Sequence, residues 1–137
     1  MRTTLLDLTT GSDETVVDIT GLCATFLDQQ AQGADGLLHV WVPHATLGVA
    51  VLETGAGSED DLLTALRHVL PSDERWAHRH GHRGHGRDHV LPAFVAPYAT
   101  VPVLGGAMAL GTWQSVVVVD TNVDNPRRQV RLSLLVG

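Results

Sequence analysis

Apolar and polar residues change their period several times along this chain, and each change marks an element. Thr3–Thr9 alternates loosely and is rich in Thr and Leu, which predicts a strand; Glu14–Ile19 is a second, shorter one. From Gly21 to about Gln30 the apolar positions Leu22, Phe26 and Leu27 fall on one helical face, with Thr20 as the expected cap. Gly33 and Gly36 bracket a turn. Leu37–Val42 alternates strictly: Leu38, Val40 and Val42 share one face, and Leu37, His39 and Trp41 share the other. The segment Pro43–Gly48 interrupts this pattern, and Val49–Glu53 resumes it.

A helical period returns at Ser58. Leu62, Leu63, Leu66, Val69 and Leu70 form its apolar face, Ser58 and Asp61 have the spacing of a capping box, and Pro71 follows its end. Ser72–Arg87 has no period: it is polar, punctuated by glycine, and offers almost nothing to bury. Asp88 is the expected cap of a short helix reaching about Val95, with Pro92 tolerated in the first turn. Ala99–Val103, Ala107–Leu110, Gln114–Asp120 and Gln129–Val136 read as strands joined by short turns. The pattern predicts one α+β domain over residues 1–137, a largely antiparallel β-sheet sandwich with two or three helices.

Composition narrows the function. The chain has 137 residues, of which 44% are hydrophobic and 18% charged, an ordinary balance for one folded domain. The single cysteine, Cys23, excludes a disulfide within the chain and favours a reducing compartment. A net charge of −6 gives no basic footprint for nucleic acid. The apolar run Val116–Val119 is too short to cross a membrane, and Met1–Thr4 has no leader-like pattern, so the cytoplasm is the expected location. No P-loop, dinucleotide glycine fingerprint or Gly-x-Ser-x-Gly elbow is present, so no nucleotide cofactor is expected.

Histidine is the distinctive residue: there are eight, and His78, His80, His82, His85 and His89 crowd one stretch. Imidazole is the commonest ligand for zinc-like ions and the commonest acid/base near neutral pH. His44 follows a strand, and His78 and His89 flank the polar loop; three such nitrogens leave an open coordination position, as catalytic zinc sites do. His39 and His68 read as structural or solvated, and His80, His82 and His85 as solvated loop residues. Glu53 ends a strand, where a carboxylate acts as base or holds a cation. A tight hairpin of Leu37–Val42 with Val49–Glu53 would keep it about 15 Å from His44. Asp60 and Asp61 suit the positive end of their helix. Gln114 is suited to orienting a polar ligand and Trp113 to flooring a pocket. Arg127 and Arg128 at a strand start suit phosphate or carboxylate. Three readings follow: an enzyme acting on a phosphorylated small molecule, a zinc-assisted hydrolase, and a non-catalytic protein that binds a metal or metabolite.

Taken in order, several segments resemble one family. Pro43-His44-Ala45-Thr46 with Leu52-Glu53, Trp76-Ala77-His78, Asp88-His89-Val90, Val101-Pro102-Val103 with Gly105-Gly106, Leu110-Gly111-Thr112-Trp113-Gln114, and Arg127-Arg128 are similar to elements of the YjbQ-like family. That family carries the label secondary thiamine-phosphate synthase. The resemblance implies a small α+β homotrimer and a transferase that joins a hydroxymethylpyrimidine pyrophosphate to a thiazole phosphate. It implies catalytic roles for His44, Glu53, His89 and Gln114, and substrate contacts at Thr46, Trp113, Arg127 and Arg128. His44, His78 and His89 would share one pocket and a metal. The chain departs from the pattern at Leu52, where Asn is usual, at Thr54–Gly57, which lacks the usual Asn and Asp, and at His85, near a usual Asn. Fewer oxygen ligands and more histidines favour a zinc-like ion over magnesium.

Overall fold

Two antiparallel sheets carry the chain. The computed structural model describes all residues, Met1–Gly137. Its strands are β1 (Arg2–Thr9), β2 (Thr15–Asp18), β3 (Gly36–Trp41), β4 (Leu47–Leu52), β5 (Tyr98–Leu104), β6 (Ala107–Met108), β7 (Ser115–Asp120) and β8 (Arg127–Val136). The helices are α1 (Thr20–Gln30) and α2 (Ser58–Val69), followed by 3-10 turns at His85–His89 and Leu91–Ala93. The large sheet has the order β1-β8-β3-β5-β6 and the small one β2-β7-β4. The α+β sandwich expected from the periodicity is the fold observed.

Alternation explains how the layers pack. Leu38 and Val40 of β3, Val101 and Val103 of β5, and Val130, Leu132 and Leu134 of β8 turn one face of the large sheet inward. They meet Val116 and Val118 of β7, Leu47 and Val49 of β4, and Cys23, Phe26 and Leu27 of α1. The intervening β7 residues, Val117 and Val119, face the other way and pack with Leu66 of α2, Leu70, Leu91 and Val95. A strand covered on both faces reads as an unbroken apolar run, which is why Val116–Val119 shows no alternation. Each such side chain contributes roughly 1.5–3 kcal/mol through burial.

Several local expectations are corrected. β3 and β4 form no hairpin: β3 pairs with β5 and β8, whereas β4 pairs only with β7. The Pro43–Thr46 segment carries the chain from one sheet to the other. The Ser58 capping box does not form, because Gly57 in a left-handed conformation (φ 100°) starts α2; the carboxylate of Glu59 instead accepts the Gly55 N–H. Thr20 lies inside α1 rather than capping it; its hydroxyl oxygen accepts the Val116 N–H, and Asp18 accepts the Thr20 N–H. Asp88 caps nothing and is fully buried within the His85–His89 turn.

Glycine sets one further contact. A Cβ at Gly48 would lie 2.6 Å from the Val95 carbonyl oxygen. Its absence lets the Leu91–Val95 segment lie against β4, where Val49 N–H bonds the Ala96 carbonyl. This contact holds the turns that carry His85 and His89 against the small sheet.

Candidate metal centre

The C-terminal end of β7 organises two polar clusters. The first is centred on Asp120, which is fully buried. Arg128 donates to both of its oxygens, Nε to Oδ2 at 2.9 Å and a terminal nitrogen to Oδ1 at 3.0 Å. Thr10 O–H donates to Oδ2 (2.7 Å) and Asn122 N–H to Oδ1 (2.9 Å). Arg128 also donates to Thr46 Oγ1 (3.0 Å), as does the Asn122 amide (3.3 Å). Every charge here is paired and every carboxylate oxygen is bonded, the condition under which a buried ion pair is tolerated.

His44 stands at the margin of this cluster. Its Nε2 accepts the Gln129 N–H at 2.8 Å. A neutral imidazole that accepts at Nε2 carries its proton on Nδ1, so His44 presents a donor and not a free lone pair. Burial, with Arg128 nearby, holds its pKa below the usual histidine range, against the opposing pull of Asp120. Neutral His44 is therefore favoured.

The second cluster is built from the loop histidines. The ligand nitrogens of His78, His80, His85 and His89 lie within 4.8 Å of one another. The His78 ring centroid lies 3.9 Å from that of His89 and 4.0 Å from that of His80, and His85 Nε2 lies 3.0 Å from His89 Nε2. Desolvation, then the neighbouring imidazoles, lower the pKa of both His78 and His89. Crowded imidazoles resist protonation and keep the lone pairs a metal needs. Four nitrogens fit a zinc-like ion by donor type and number, and a magnesium site, which calls for oxygen, fits poorly.

Packing behind the cluster is specific. Asp88 Oδ1 accepts the Thr121 hydroxyl at 2.7 Å. Arg87, also buried, bonds the Leu70 carbonyl and Glu14, tying the turn to the end of α2 and to the β1–β2 connection. A Cβ at Gly86 would fall 2.4 Å from Trp76 Cβ and 2.5 Å from the His78 carbonyl oxygen. Gly86 thus sets the approach of the His78 segment to the His85–His89 turn. Asp124 bonds His82 Nδ1 at 2.7 Å, and this bond, first, keeps the Asp124 pKa low.

The expected site residues fall into three places within one chain. His78 and His89 come together, joined by His80 and His85; His85, read from sequence as a solvated loop residue, is buried. His44, Thr46 and Arg128 meet in the neighbouring Asp120 cluster, where Arg128 is committed to an ion pair and Arg127 remains exposed. Glu53, Trp113 and Gln114 lie at the opposite end of the small sheet, past the Leu52–Ser115 pairing. That end is about 17 Å along β7 from Asp120. All three are exposed, and Gln114 Oε1 accepts the Gly111 N–H of its own turn (2.8 Å). Sequence reasoning missed Thr10, Asp88, Asp120, Thr121, Asn122 and Asp124. The polar residues Asp120, Thr121, Asn122, Asp124 and Asn125, directly after four valines, were the available signal, as was the four-residue spacing of His85 and His89.

A histidine-lined rim at one end of a small antiparallel sheet, backed by a closed carboxylate–guanidinium pair, defines a compact α+β protein with a candidate metal centre. The chain belongs to the UPF0047 protein YjbQ-like family, whose model matches residues 4–136. It is 55% identical over 137 residues to UPF0047 protein Rv2556c of Mycobacterium tuberculosis, covering 100% of both chains. The crystal structure of hypothetical protein APE1520 from Aeropyrum pernix matches with a TM-score of 0.88 and 30% identity, again over 100% of both chains. A YbjQ-like protein of unknown function from Sulfolobus solfataricus shares the fold (TM-score 0.90, 20% identity, 99% of this chain and 97% of the other). No helix is long and apolar enough to cross a membrane.

Proposed function

We propose that this protein is a metal-dependent enzyme acting on a phosphorylated small molecule in the cytoplasm, with His78, His80, His85 and His89 supplying the ligands of a zinc-like ion. The observation that carries this reading is the convergence of four imidazoles from two segments of the chain. With three of these imidazoles bound, such an ion would keep a fourth position at which to polarise a phosphoryl oxygen or activate water. His44 offers Nδ1–H as a donor at the same end of the sheet, and exposed Arg127 offers a phosphate contact three residues after Asp124, which bonds His82. The finer reaction is the transfer suggested by the family resemblance, joining a pyrimidine pyrophosphate to a thiazole phosphate with loss of pyrophosphate.

A homotrimer belongs to the same proposal. Leu37, Trp41, Tyr98, Leu104 and Leu135 leave the outer face of the large sheet apolar and exposed, and Trp113 is 73% exposed. An assembled neighbour would bury this surface and give Glu53 and Gln114 a route to the histidine site of another subunit. The test is product formation from the two thiamine precursors with tag-free protein, with and without zinc, beside sedimentation analysis. Zinc-dependent product lost in His89→Ala and kept in His68→Ala is expected. Absence of product under every metal condition overturns the transfer. Zinc-dependent release of phosphate from simple phosphoesters in its place would assign hydrolysis.

A further inference from the structure

The histidine cluster has a second side that the single-ion reading leaves unused. His85 is buried, and its two ring nitrogens face different donor sets. Nε2 faces His89 and the other loop imidazoles. Nδ1 lies 3.3 Å from Asp88 Oδ2 and 3.4 Å from Asp124 Oδ2, and one ligand atom each of His82, His85 and Asp88 lies within 4.8 Å of the others. His85 Nδ1 and Asp88 Oδ2 are both buried without a hydrogen-bond partner. Leaving two such atoms unpaired costs about 1–3 kcal/mol each, and the fully bonded Asp120 nearby shows that this fold can satisfy a buried carboxylate.

A cation between them removes the cost. Bonds of 2.0–2.1 Å in a tetrahedral site put ligand atoms about 3.3 Å apart, which is the spacing of His85 Nδ1 from Asp88 Oδ2. Charge points the same way: the first ligand set is four imidazoles, whereas this side brings the buried Asp88 carboxylate. We propose that His85 bridges two metal ions, one shared through Nε2 with His78, His80 and His89, the other held through Nδ1 with Asp88 Oδ2 and His82, whose ring Asp124 holds by a hydrogen bond. The inference rests on the metal reading above and adds a second site to it. Binding of the second ion displaces the remaining ring proton of His85 to solvent, leaving a bridging imidazolate, while His82 binds through one ring nitrogen and keeps its proton on the other, donated to Asp124. The second site therefore fills less readily as pH falls.

Cobalt(II) is the probe. Chelator-stripped, tag-free protein is titrated with cobalt, and bound metal is counted after desalting while magnetic susceptibility is recorded. Two ions per chain are expected, with a magnetic moment below that of two independent ions because of exchange through the shared ring. Asp88→Asn, which can still accept the Thr121 hydroxyl at its remaining oxygen, is expected to bind one ion with no exchange. Asp124→Asn, at a solvent-facing residue, is expected to weaken the second ion at least tenfold. One ion in the native protein, unchanged in Asp88→Asn, overturns the bridge and leaves the first site standing. Two ions without exchange and insensitive to both variants also overturn it. No bound ion overturns both readings.

Discussion

The two polar clusters at the end of β7 are neighbours built from similar residues, yet they are chemically opposite. Around Asp120 every charged atom has a partner: the guanidinium, the hydroxyls of Thr10 and Thr46 and the Asn122 amide close on one another. Around Asp88, one residue after Arg87 and bonded to Thr121, three buried atoms have none: His85 Nδ1, Arg87 Nε and Asp88 Oδ2. A closed network is finished when the chain folds and reports on stability. An open one, lined by four imidazoles, would report on a ligand. The short segment Asp120–Asp124 serves both, so the structural pair positions the chemical one.

The largest effect belongs to the closed cluster. Arg128→Ala strands a buried carboxylate and is expected to cost about 3–5 kcal/mol of folding stability, read as a shifted midpoint in urea unfolding. A loss below about 1 kcal/mol would show that the Asp120 cluster is not the finished network described here. The open cluster should respond to metal instead. Zinc at about a thousand times its Kd is expected to stabilise the native protein by about 4 kcal/mol through mass action. Chelator should reverse the gain, and His89→Ala should lose it while keeping its metal-free stability.

Gly86→Ala tests the coupling between the loop and the turn. The added Cβ meets Trp76 and the His78 carbonyl, so a loss of about 1–3 kcal/mol is expected, together with weaker zinc binding as His78 is pushed from His85. Unchanged zinc affinity in a destabilised protein would separate packing from site geometry.

Acidity gives a smaller, graded effect. His78 and His89 titrate below the ordinary histidine value in the fold, so the unfolded chain binds more protons as pH drops. Their contribution to stability is full above about pH 6.5, the unperturbed value, and is lost as pH falls from there through their depressed folded values. Thermal unfolding of metal-free protein from pH 8 to pH 5 checks the sign; in the His78→Ala/His89→Ala double variant the dependence should shrink to the part His44 contributes. The smallest effect is expected at the far end of the sheet. Trp113→Ala should change metal-free protomer stability by no more than about 0.5 kcal/mol, while assembly measured by sedimentation weakens.

Much of this division was hidden in the sequence for physical reasons. Alternation in Leu37–Val42 and the apolar run at Val116–Val119 were enough to place the strands, because burial on a sheet imposes a period of two or none at all. The split of β3 and β4 between two sheets was not legible, since short strands joined by a turn segment are compatible with both arrangements. His78 and His89 were legible as candidates by type and position. His85 was not, because the loop around it has no apolar period; its contacts with Asp88 and Asp124 form only in the folded chain. Arg128 could be read as a rim residue for the same reason: its partner Asp120 lies on another strand and is reached only through folding.

Zinc K-edge X-ray absorption on tag-free protein loaded with one equivalent tests the metal centre most directly. Three or four nitrogen ligands at about 2.0 Å with the outer-shell scattering of imidazole, and no sulfur, are expected; Cys23 is buried in the core and its thiol pKa is pushed up to about 12 by burial. Zinc that washes out on desalting, or an oxygen-only shell without imidazole scattering, would contradict a histidine-built metal site.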